Sequence, residues 1–478
     1  MSLLRWCRAS VLALTALTIA ACSSGNPGSV PSARQNAFAT SRSAAASGPI
    51  QHVVVIIQEN RSFDNLFATF PGADGTTKGK LSGGKSIKLT ETNLAQTCDF
   101  GHSYQGFKRD YNGGKMDGFN LEGGNGSCPS PVGTAPYQYV NPTQIAPYWD
   151  MAGQYVLADH MFQTQGSGSY TGHQDLIRGG TTIDSGQTES LVDYPSAVPW
   201  GCDAPTKPKM TVTSLLFWTG SKIMAKHDRG PFPCTNKFPS SGVYYETLRD
   251  LLDENSLSWK YYTPAVAHAG SGEYWNAFDM IASVRFGPEW CVNVTCTAKG
   301  EMQIFNDISS GSLPAVSWVI PDEANSDHPG SGSDTGPSWV ASVVNAIGDS
   351  PYWSSTAIVI TWDDWGGFYD HVKPKFFDHW GGLGFRVPMI VVSPYAREAV
   401  RSKPGYISHT QYEFGSIVRF IEDTWNLPRL GTTDVRATSI ANCLDFSQPA
   451  RKFQDIQSTY SRTYFEHQPP SNKPVDTE

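Results

Sequence analysis

The stretch HVVVIIQ at residues 52–58 contains a continuous apolar run bounded by polar residues. A run of this kind is typical of a strand that is buried on both faces of a parallel sheet. Three comparable runs follow later in the chain: AVSWVIP from Ala315, STAIVITW from Ser355 and VPMIVVSP from Val387. The pattern predicts that all four are strands of one central sheet.

Segments with helical spacing separate these runs: VYYETLRDLLDEN from Val243, SWVASVVNAI from Ser338 and QYEFGSIVRFIEDTW from Gln411. The alternation predicts an α/β fold, with an open, mostly parallel sheet covered by helices on both faces. Residues 98–140 and 184–241 are rich in Gly, Pro, Asn and aromatic residues and predict long loop insertions. Because loops at the carboxyl ends of strands build the ligand site of such sheets, we expect these insertions to select the substrate.

The composition narrows the class of protein. The chain has 478 residues, of which 39% are hydrophobic and 17% charged, as in a folded globular protein. Its formal net charge is −8, and we find no Lys/Arg run that could follow a nucleic-acid backbone. We therefore expect no nucleic-acid partner.

The first 22 residues predict an export signal. Arg5 and Arg8 precede an apolar run from Val11 to Ala21 that is too short to span a bilayer stably. The small residues before Cys22 are similar to the lipobox of bacterial lipoproteins, so we expect an exported, periplasmic or cell-envelope protein that is lipid-anchored at Cys22. An ordinary signal peptide cut at a nearby Ala is the alternative. No later segment offers about 18 consecutive apolar residues, so this anchor is the only membrane contact expected.

The remaining boundaries follow from composition and cysteine spacing. Residues 23–49 are rich in Ser, Ala, Gly and Pro and predict a flexible tether. Residues 50–450 would form one folded domain, and residues 451–478 a polar carboxyl-terminal tail. In an oxidising compartment, pairing of neighbours in sequence predicts three disulfides and one free thiol: Cys98 with Cys128, Cys202 with Cys234, Cys291 with Cys296, and Cys443 free.

Polar residues follow two of the predicted strands directly. Glu59 and Asn60 come after the first run, although they could simply be turn and cap residues. Asp363 and Asp364 come after the run at Ser355. Adjacent acids at a strand end repel each other, and a metal ion is the natural partner for them. A solvated acidic loop is the alternative reading.

The segment FQTQGSGSYTGHQDLIRGG combines a Gly/Ser-rich turn with a predicted helix. Ser169 would lie at the amino terminus of that helix, where backbone N–H groups and the helix dipole favour a phosphate or an ionised serine oxygen. It could instead be an ordinary N-cap. Two loop histidines, His102 and His328, could protonate a leaving oxygen, although a lone loop histidine is more often a surface residue.

Several blocks in order carry a resemblance: QENRSFDNLF, CDFGHSY with GGKMDGF, DHMFQTQGSGSYTGH, SDHPG, and TWDDWGGFYDHV followed by FRVPMIVVSPYAR. Together they resemble the bacterial phospholipase C and acid phosphatase phosphoesterase family over about residues 50–430. The resemblance implies a fold similar to that of alkaline phosphatases, with one hydroxyl nucleophile and a metal held by acids at strand ends.

The resemblance also implies roles for individual residues. It implies that Ser169 is the nucleophile and that a divalent metal ion has four ligands: Glu59, Asn60, Asp363 and Asp364. His102 and His328 would lie near the phosphate. Asp370 and His371 would have a less defined role, behind the ligands or at the substrate. This chain has TGH where the family often has PNH or PNR, which leaves Ser167 as the alternative nucleophile.

The function that follows is metal-assisted hydrolysis of phosphate esters through a phosphoseryl intermediate, of phospholipase C or acid phosphatase type. A phospholipid is one expected substrate, and monoesters and diesters both stay open. The alternative is a lipid-anchored surface protein that binds a phosphate-bearing ligand without turnover.

Overall fold

A computed structural model describes residues 44–96, 98–125, 128–183, 189–192, 202, 212–219, 222–229, 244–265, 275–375, 382–399 and 405–470. The chain divides into two units, residues 1–41 and 42–478, and the described residues belong to the second. Their strands are β1 (His52–Gln58), β2 (Lys78–Lys80), β3 (Ser86–Lys88), β4 (Thr90–Thr92), β5 (Gln138–Val140), β6 (Val156–Ala158), β7 (Met161–Phe162), β8 (Glu189–Leu191), β9 (Val212–Thr219), β10 (Lys222–Arg229), β11 (Trp259–Tyr262), β12 (Val316–Val319), β13 (Thr356–Trp362), β14 (Met389–Val392), β15 (Tyr406–Ser408) and β16 (Tyr412–Glu413).

The α-helices of the same residues range from one turn to three and a half turns. They are α1 (Phe63–Phe67), α2 (Tyr104–Tyr111), α3 (Ala146–Gln154), α4 (Ser169–Arg178), α5 (Leu248–Glu254), α6 (Ala282–Arg285), α7 (Gln303–Ser310), α8 (Gly336–Gly348), α9 (Phe414–Trp425) and α10 (Arg462–His467). Short 3-10 turns lie between several of them.

The central sheet has seven strands in the order β11-β12-β1-β13-β14-β6-β15. Strand β1 pairs in parallel with β12 and β13, and β15 pairs in parallel with β6. Only β14 runs against its neighbours β13 and β6. The four predicted runs are thus strands β12, β1, β13 and β14, and the prediction of a mostly parallel sheet is confirmed.

Helices cover both faces of this sheet. Trp318 of β12 is the register partner of Val55, and its indole N–H donates to the Leu176 carbonyl of α4 at 3.2 Å. Gln58 lies three residues beyond Val55 and therefore on the opposite face, where its amide donates to the Tyr148 hydroxyl of α3 at 2.8 Å. Every residue of β1 after His52 is buried, which explains why the strand reads as an unbroken apolar run.

The two predicted insertions differ in how much of them the structure describes. Residues 98–140 carry α2 and β5, and the predicted disulfide between Cys98 and Cys128 is confirmed. In the other insertion β8, β9 and β10 form an antiparallel sheet. The Cys291–Cys296 disulfide and the free, buried Cys443 are confirmed as well. Cys234 lies outside the described residues, so its pairing with Cys202 stays a prediction.

Both ends of the predicted domain extend further than expected. Residues 44–49 were assigned to the tether, yet Ser47 N–H donates to the Thr424 carbonyl of α9 at 2.7 Å. Residues 451–470 were assigned to a polar tail, but they contain α10 and bury Ile456 and Phe465. These isolated apolar residues hold the segment on the domain, and the sequence around them has no helical or strand periodicity that would predict it. No helix among the described residues is long and apolar enough to cross a membrane.

Candidate active site

The ends of β1 and β13 bring acidic side chains together. Gln58 and Trp362 are register partners, so Glu59 and Asp363 leave adjacent strands at the same edge. Both are fully buried, and the Asn60 N–H donates to Asp363 Oδ1 at 2.9 Å. The register thus brings one acid from each strand end into a single buried cluster.

The loop after β13 packs closely on the loop after β1. Asn60 has a left-handed backbone with φ of +60°, which asparagine tolerates better than most residues. Gly366 also has φ of +60°, and a Cβ built on it would lie 2.2 Å from the Asn60 carbonyl oxygen. The Gly366 N–H donates to Asp364 Oδ1 at 2.6 Å. Glycine at this position lets both loops approach and holds the Asp364 carboxylate.

Ser169 is the first residue of α4 and faces these loops. Its Oγ lies 3.1 Å from Asn60 Oδ1 and 3.2 Å from Asp364 Oδ2, and its single hydroxyl hydrogen can be donated to either. A Cβ on Gly172, one turn further along α4, would lie 2.5 Å from the Asp363 carbonyl oxygen. The glycine therefore permits the helix amino terminus to reach the strand end.

Ser167, the alternative nucleophile, has a different neighbour. Its Oγ lies 3.0 Å from Thr171 Oγ1, one turn of α4 away. The hydroxyl that meets Asn60 and Asp364 belongs to Ser169. The geometry favours Ser169 over Ser167 as the candidate nucleophile.

His102 is fully buried and borders the same cluster. Its Nδ1 lies 2.6 Å from the Phe100 carbonyl oxygen, which can only accept, so Nδ1 carries a hydrogen. Its Nε2 lies 3.2 Å from Asn60 Nδ2 and 3.8 Å from Asp364 Oδ2. The ring is therefore oriented with Nε2 toward the predicted site.

His328 lies on a loop that is hydrogen-bonded to the backbone of Glu59. The Glu59 N–H donates to the Ser326 carbonyl at 2.8 Å, and the His328 N–H donates to Ser326 Oγ at 3.2 Å. The imidazole is buried, with its ring centroid 6.0 Å from that of Trp275. The structure thus places His328 next to the loop of Glu59.

Asp370 and His371 belong to a second cluster with other partners. Arg386 donates to both oxygens of Asp370, at 2.9 Å and 3.0 Å. His371 Nδ1 lies 2.7 Å from Asp64 Oδ2, and its Nε2 lies 3.2 Å from Asp74 Oδ1. Burial lowers the pKa of His371, but the hydrogen bond and charge of Asp64 outweigh it, and the pKa is raised. These contacts form an ion-pair network around Arg386 and Asp64, and the place of the two residues behind the ligands or at the substrate stays a prediction.

His173 is the residue that the sequence interpretation missed. It lies four residues after Ser169 on α4, hence on the same face of the helix, and its Nε2 is 2.9 Å from Glu59 Oε1. Ligand atoms of Glu59, His173 and Asp363 all lie within 4.8 Å of one another. The Ser-x-x-x-His spacing was the available signal.

The electrostatics of the cluster favour a cation. Burial raises the pKa of Asp363 well above its usual range, and the charge of Glu59 raises it further. Burial lowers the pKa of His173 to about 4, although the charge of Asp363 opposes this. Asp363 Oδ2 is buried and makes no hydrogen bond within the part of the chain that the structure describes. Crowded carboxylates with a neutral imidazole fit a divalent metal ion.

Comparison with known proteins places this site in context. A model described as "Phosphoesterase family" matches residues 50–428. The chain is 23% identical over 449 residues to the non-hemolytic phospholipase C of Burkholderia pseudomallei. The alignment covers 79% of this chain and 55% of that protein. The chain is 23% identical over 471 residues to phospholipase C B of Mycobacterium tuberculosis, covering 84% and 78% respectively.

The chain is also similar to a plant phospholipase C and to a bacterial protein of known structure. Non-specific phospholipase C1 of Arabidopsis thaliana is 24% identical over 425 residues, with 80% of this chain and 68% of that protein covered. A crystal structure of a protein in the alkaline phosphatase superfamily from Vibrio parahaemolyticus aligns with a TM-score of 0.37 and 11% identity, over 83% of this chain and 72% of that one. The chain spans only about half the length of the non-hemolytic phospholipases C of Burkholderia pseudomallei and Pseudomonas aeruginosa, at 55% and 54%.

Proposed function

The chain belongs to the Phosphoesterase family, and from that premise we propose that it hydrolyses phosphate esters by attack of the Ser169 hydroxyl with the help of a divalent metal ion. The observation that carries the proposal is the position of Ser169 Oγ, at the amino terminus of α4 and within 3.2 Å of both Asn60 Oδ1 and Asp364 Oδ2. Relatives named phospholipase C support a phospholipid or a related phosphodiester as substrate. Monoesters remain within the proposal.

Asp364 and the helix amino terminus prepare the nucleophile. The Ser169 hydroxyl hydrogen can point to Asp364 Oδ2, which is placed to accept the proton as Oγ attacks phosphorus. Backbone N–H groups in the first turn of α4 favour negative charge on the serine oxygen and on the phosphate. A divalent cation bound by Glu59, Asn60, Asp363 and Asp364 would supply positive charge against the transferring phosphoryl group.

Histidines supply the proton that the leaving group needs. As the bond from Ser169 Oγ to phosphorus forms, the bond from phosphorus to the departing alcohol oxygen breaks, and that oxygen takes a proton from the imidazolium form of His102 or His328. His102 is held by the Phe100 carbonyl with Nε2 toward Asn60 and Asp364. Water then attacks phosphorus and gives its proton to the histidine that lost one, while the serine oxygen leaves and takes back the proton from Asp364.

An assay of purified protein tests the proposal. We expect turnover of p-nitrophenyl phosphate, p-nitrophenylphosphorylcholine or phosphatidylcholine that a chelator abolishes. Ser169→Ala should lose several powers of ten in turnover, whereas the matched control Ser167→Ala should keep most of it. Affinity for phosphate without turnover of any of the three would favour the binding protein over the enzyme.

Export and lipid anchoring form a separate part of the proposal. They rest on Arg5, Arg8 and the apolar run before Cys22, all in the segment before residue 44, which lies outside the described residues. We expect palmitate labelling in cells and its loss in Cys22→Ser. An unlabelled protein whose amino terminus lies beyond Cys22 would contradict the anchor.

A further inference from the structure

The pair formed by His173 and Glu59 is chemically unusual. Both side chains are fully buried, and His173 Nε2 lies 2.9 Å from Glu59 Oε1. Such a distance requires a hydrogen on one of the two atoms or a cation that both of them share. The surroundings of the other ring nitrogen help to decide between these cases.

Tyr261 fixes the tautomer of the imidazole. Its hydroxyl donates to the Trp275 carbonyl at 2.6 Å, so its single hydrogen is committed there. The hydroxyl oxygen lies 3.4 Å from His173 Nδ1 and 3.4 Å from the Ala277 N–H. Because this oxygen can only accept from both, His173 Nδ1 carries the hydrogen. In a neutral ring, Nε2 then turns a lone pair toward Glu59.

Two acceptors facing each other at this distance repel unless a proton on Glu59 or a cation lies between them, and the neighbouring Asp363 carboxylate favours a divalent cation over a single proton. Bonds of about 2.1 Å at the tetrahedral angle that Zn²⁺ prefers place two ligand atoms about 3.4 Å apart. The two side chains, 2.9 Å apart here, would therefore separate by about 0.5 Å to hold the ion. Asp363 supplies a further ligand atom, since its Oδ2 is buried and the carboxyl lies beside that of Glu59. Atoms of Glu59, His173 and Asp363 lie within 4.8 Å of one another.

We propose that His173 Nε2 is a direct ligand of the divalent ion, with Glu59 and Asp363, and that it makes the site select ions that accept imidazole, such as Zn²⁺. Imidazole suits Zn²⁺ and later first-row ions, whereas Mg²⁺ and Ca²⁺ prefer oxygen ligands. Tyr261 acts as a positioning residue, because its oxygen holds Nδ1–H and thereby aims Nε2. This inference deepens the proposed function, since it takes the cluster to be the metal site of that reaction.

Metal binding, measured apart from activity, tests the inference. The purified protein is stripped with a chelator, and its affinities for Zn²⁺ and Ca²⁺ are measured by competition. Loss of a residue that only orients a ligand weakens metal binding by at most about 100-fold. His173→Ala should weaken Zn²⁺ binding by more than this, and Ca²⁺ binding much less. X-ray absorption of the Zn²⁺-loaded protein should show imidazole scattering that disappears in His173→Ala.

A pair of adjacent tyrosines keeps the test valid if His173→Ala fails to fold. Tyr261→Phe should weaken Zn²⁺ binding about 10–100-fold. Its matched control is Tyr262→Phe, because the Tyr262 hydroxyl lies 2.6 Å from Asp307 Oδ2 on the other face of β11 and should not affect the metal. Absence of imidazole scattering, or equal loss of Zn²⁺ affinity in the two tyrosine variants, would overturn the inference.

The outcome is separable from that of the proposed function. If His173→Ala keeps its Zn²⁺ affinity while the hydrolysis of p-nitrophenyl phosphate stays sensitive to chelator, the function stands and the nitrogen ligand is wrong. If imidazole scattering is present but no phosphate ester is hydrolysed, the ligand stands and the function is wrong.

Discussion

Gly366→Ala should lower kcat because the new methyl group displaces Asn60. At φ of +60° an alanine costs about 1–2 kcal/mol in backbone strain. Its Cβ would also lie 2.2 Å from the Asn60 carbonyl oxygen, where ordinary contact begins at 3.4 Å, so one loop must move by most of the 1.2 Å between them. A misplacement of about 1 Å can cost about 100-fold in rate. We expect a fall of that size in kcat.

Gly113→Ala is the matched control for backbone strain. Gly113 has φ of +64°, and a Cβ built there meets nothing within 4 Å. Both variants should therefore lose about 1–2 kcal/mol of unfolding free energy through strain, but only Gly366→Ala should lose kcat. The assay is steady-state kinetics on p-nitrophenyl phosphate beside urea unfolding of each variant. A folded Gly366→Ala protein with kcat within a few-fold of the parent would refute the reasoning.

Two further predictions concern stability. Burial lowers the pKa of His371, but Asp64 raises it by more, so the folded pKa is above the unfolded value of about 6.5. Protonated His371 therefore stabilises the folded protein fully below that unfolded value. The stabilisation is lost as pH rises through the folded pKa. His371→Gln should therefore unfold at lower urea than the parent at pH 6 and approach it at pH 9, and a difference that grows with pH would contradict this. The Cys98–Cys128 disulfide joins residues 30 apart in sequence, and the Cys291–Cys296 disulfide joins residues 5 apart. The loop entropy that they remove from the unfolded chain corresponds to about 3.6 and about 2 kcal/mol of stabilisation. Paired serine substitutions at each, compared by urea unfolding, should show the larger loss for the first pair.

The sequence predicted the centre of the fold because buried parallel strands read as apolar runs. Strands β1, β12, β13 and β14 all carry that pattern. Strand β11 reads WKYY, and its Lys260 ion pair with Asp307 interrupts any apolar run. The direction of β14 could not be read either, because an apolar pattern is the same in both directions. Strands β6 and β15 have only three residues each, too few for a period to show.

The site was predictable where residues follow strands directly. Glu59, Asn60, Asp363 and Asp364 stand at strand ends, so the register of β1 and β13 was enough to bring them together. His173 was not evident, because a histidine inside a helix gives no sign of the acid it will meet from another strand. The partner of Asp370 was not evident for a related reason. Asp370 follows Asp364 closely in sequence, but Arg386, 16 residues further on, binds both of its oxygens.

The phosphorylated state of Ser169 tests the central claim most directly. The protein is mixed with p-nitrophenyl phosphate, quenched in acid within the first turnovers, digested and analysed by mass spectrometry. The account predicts a phosphate on Ser169 that appears and decays with turnover and is absent from Ser169→Ala. Turnover at the full rate with no phosphate on Ser169, or with phosphate on Ser167 instead, would contradict it.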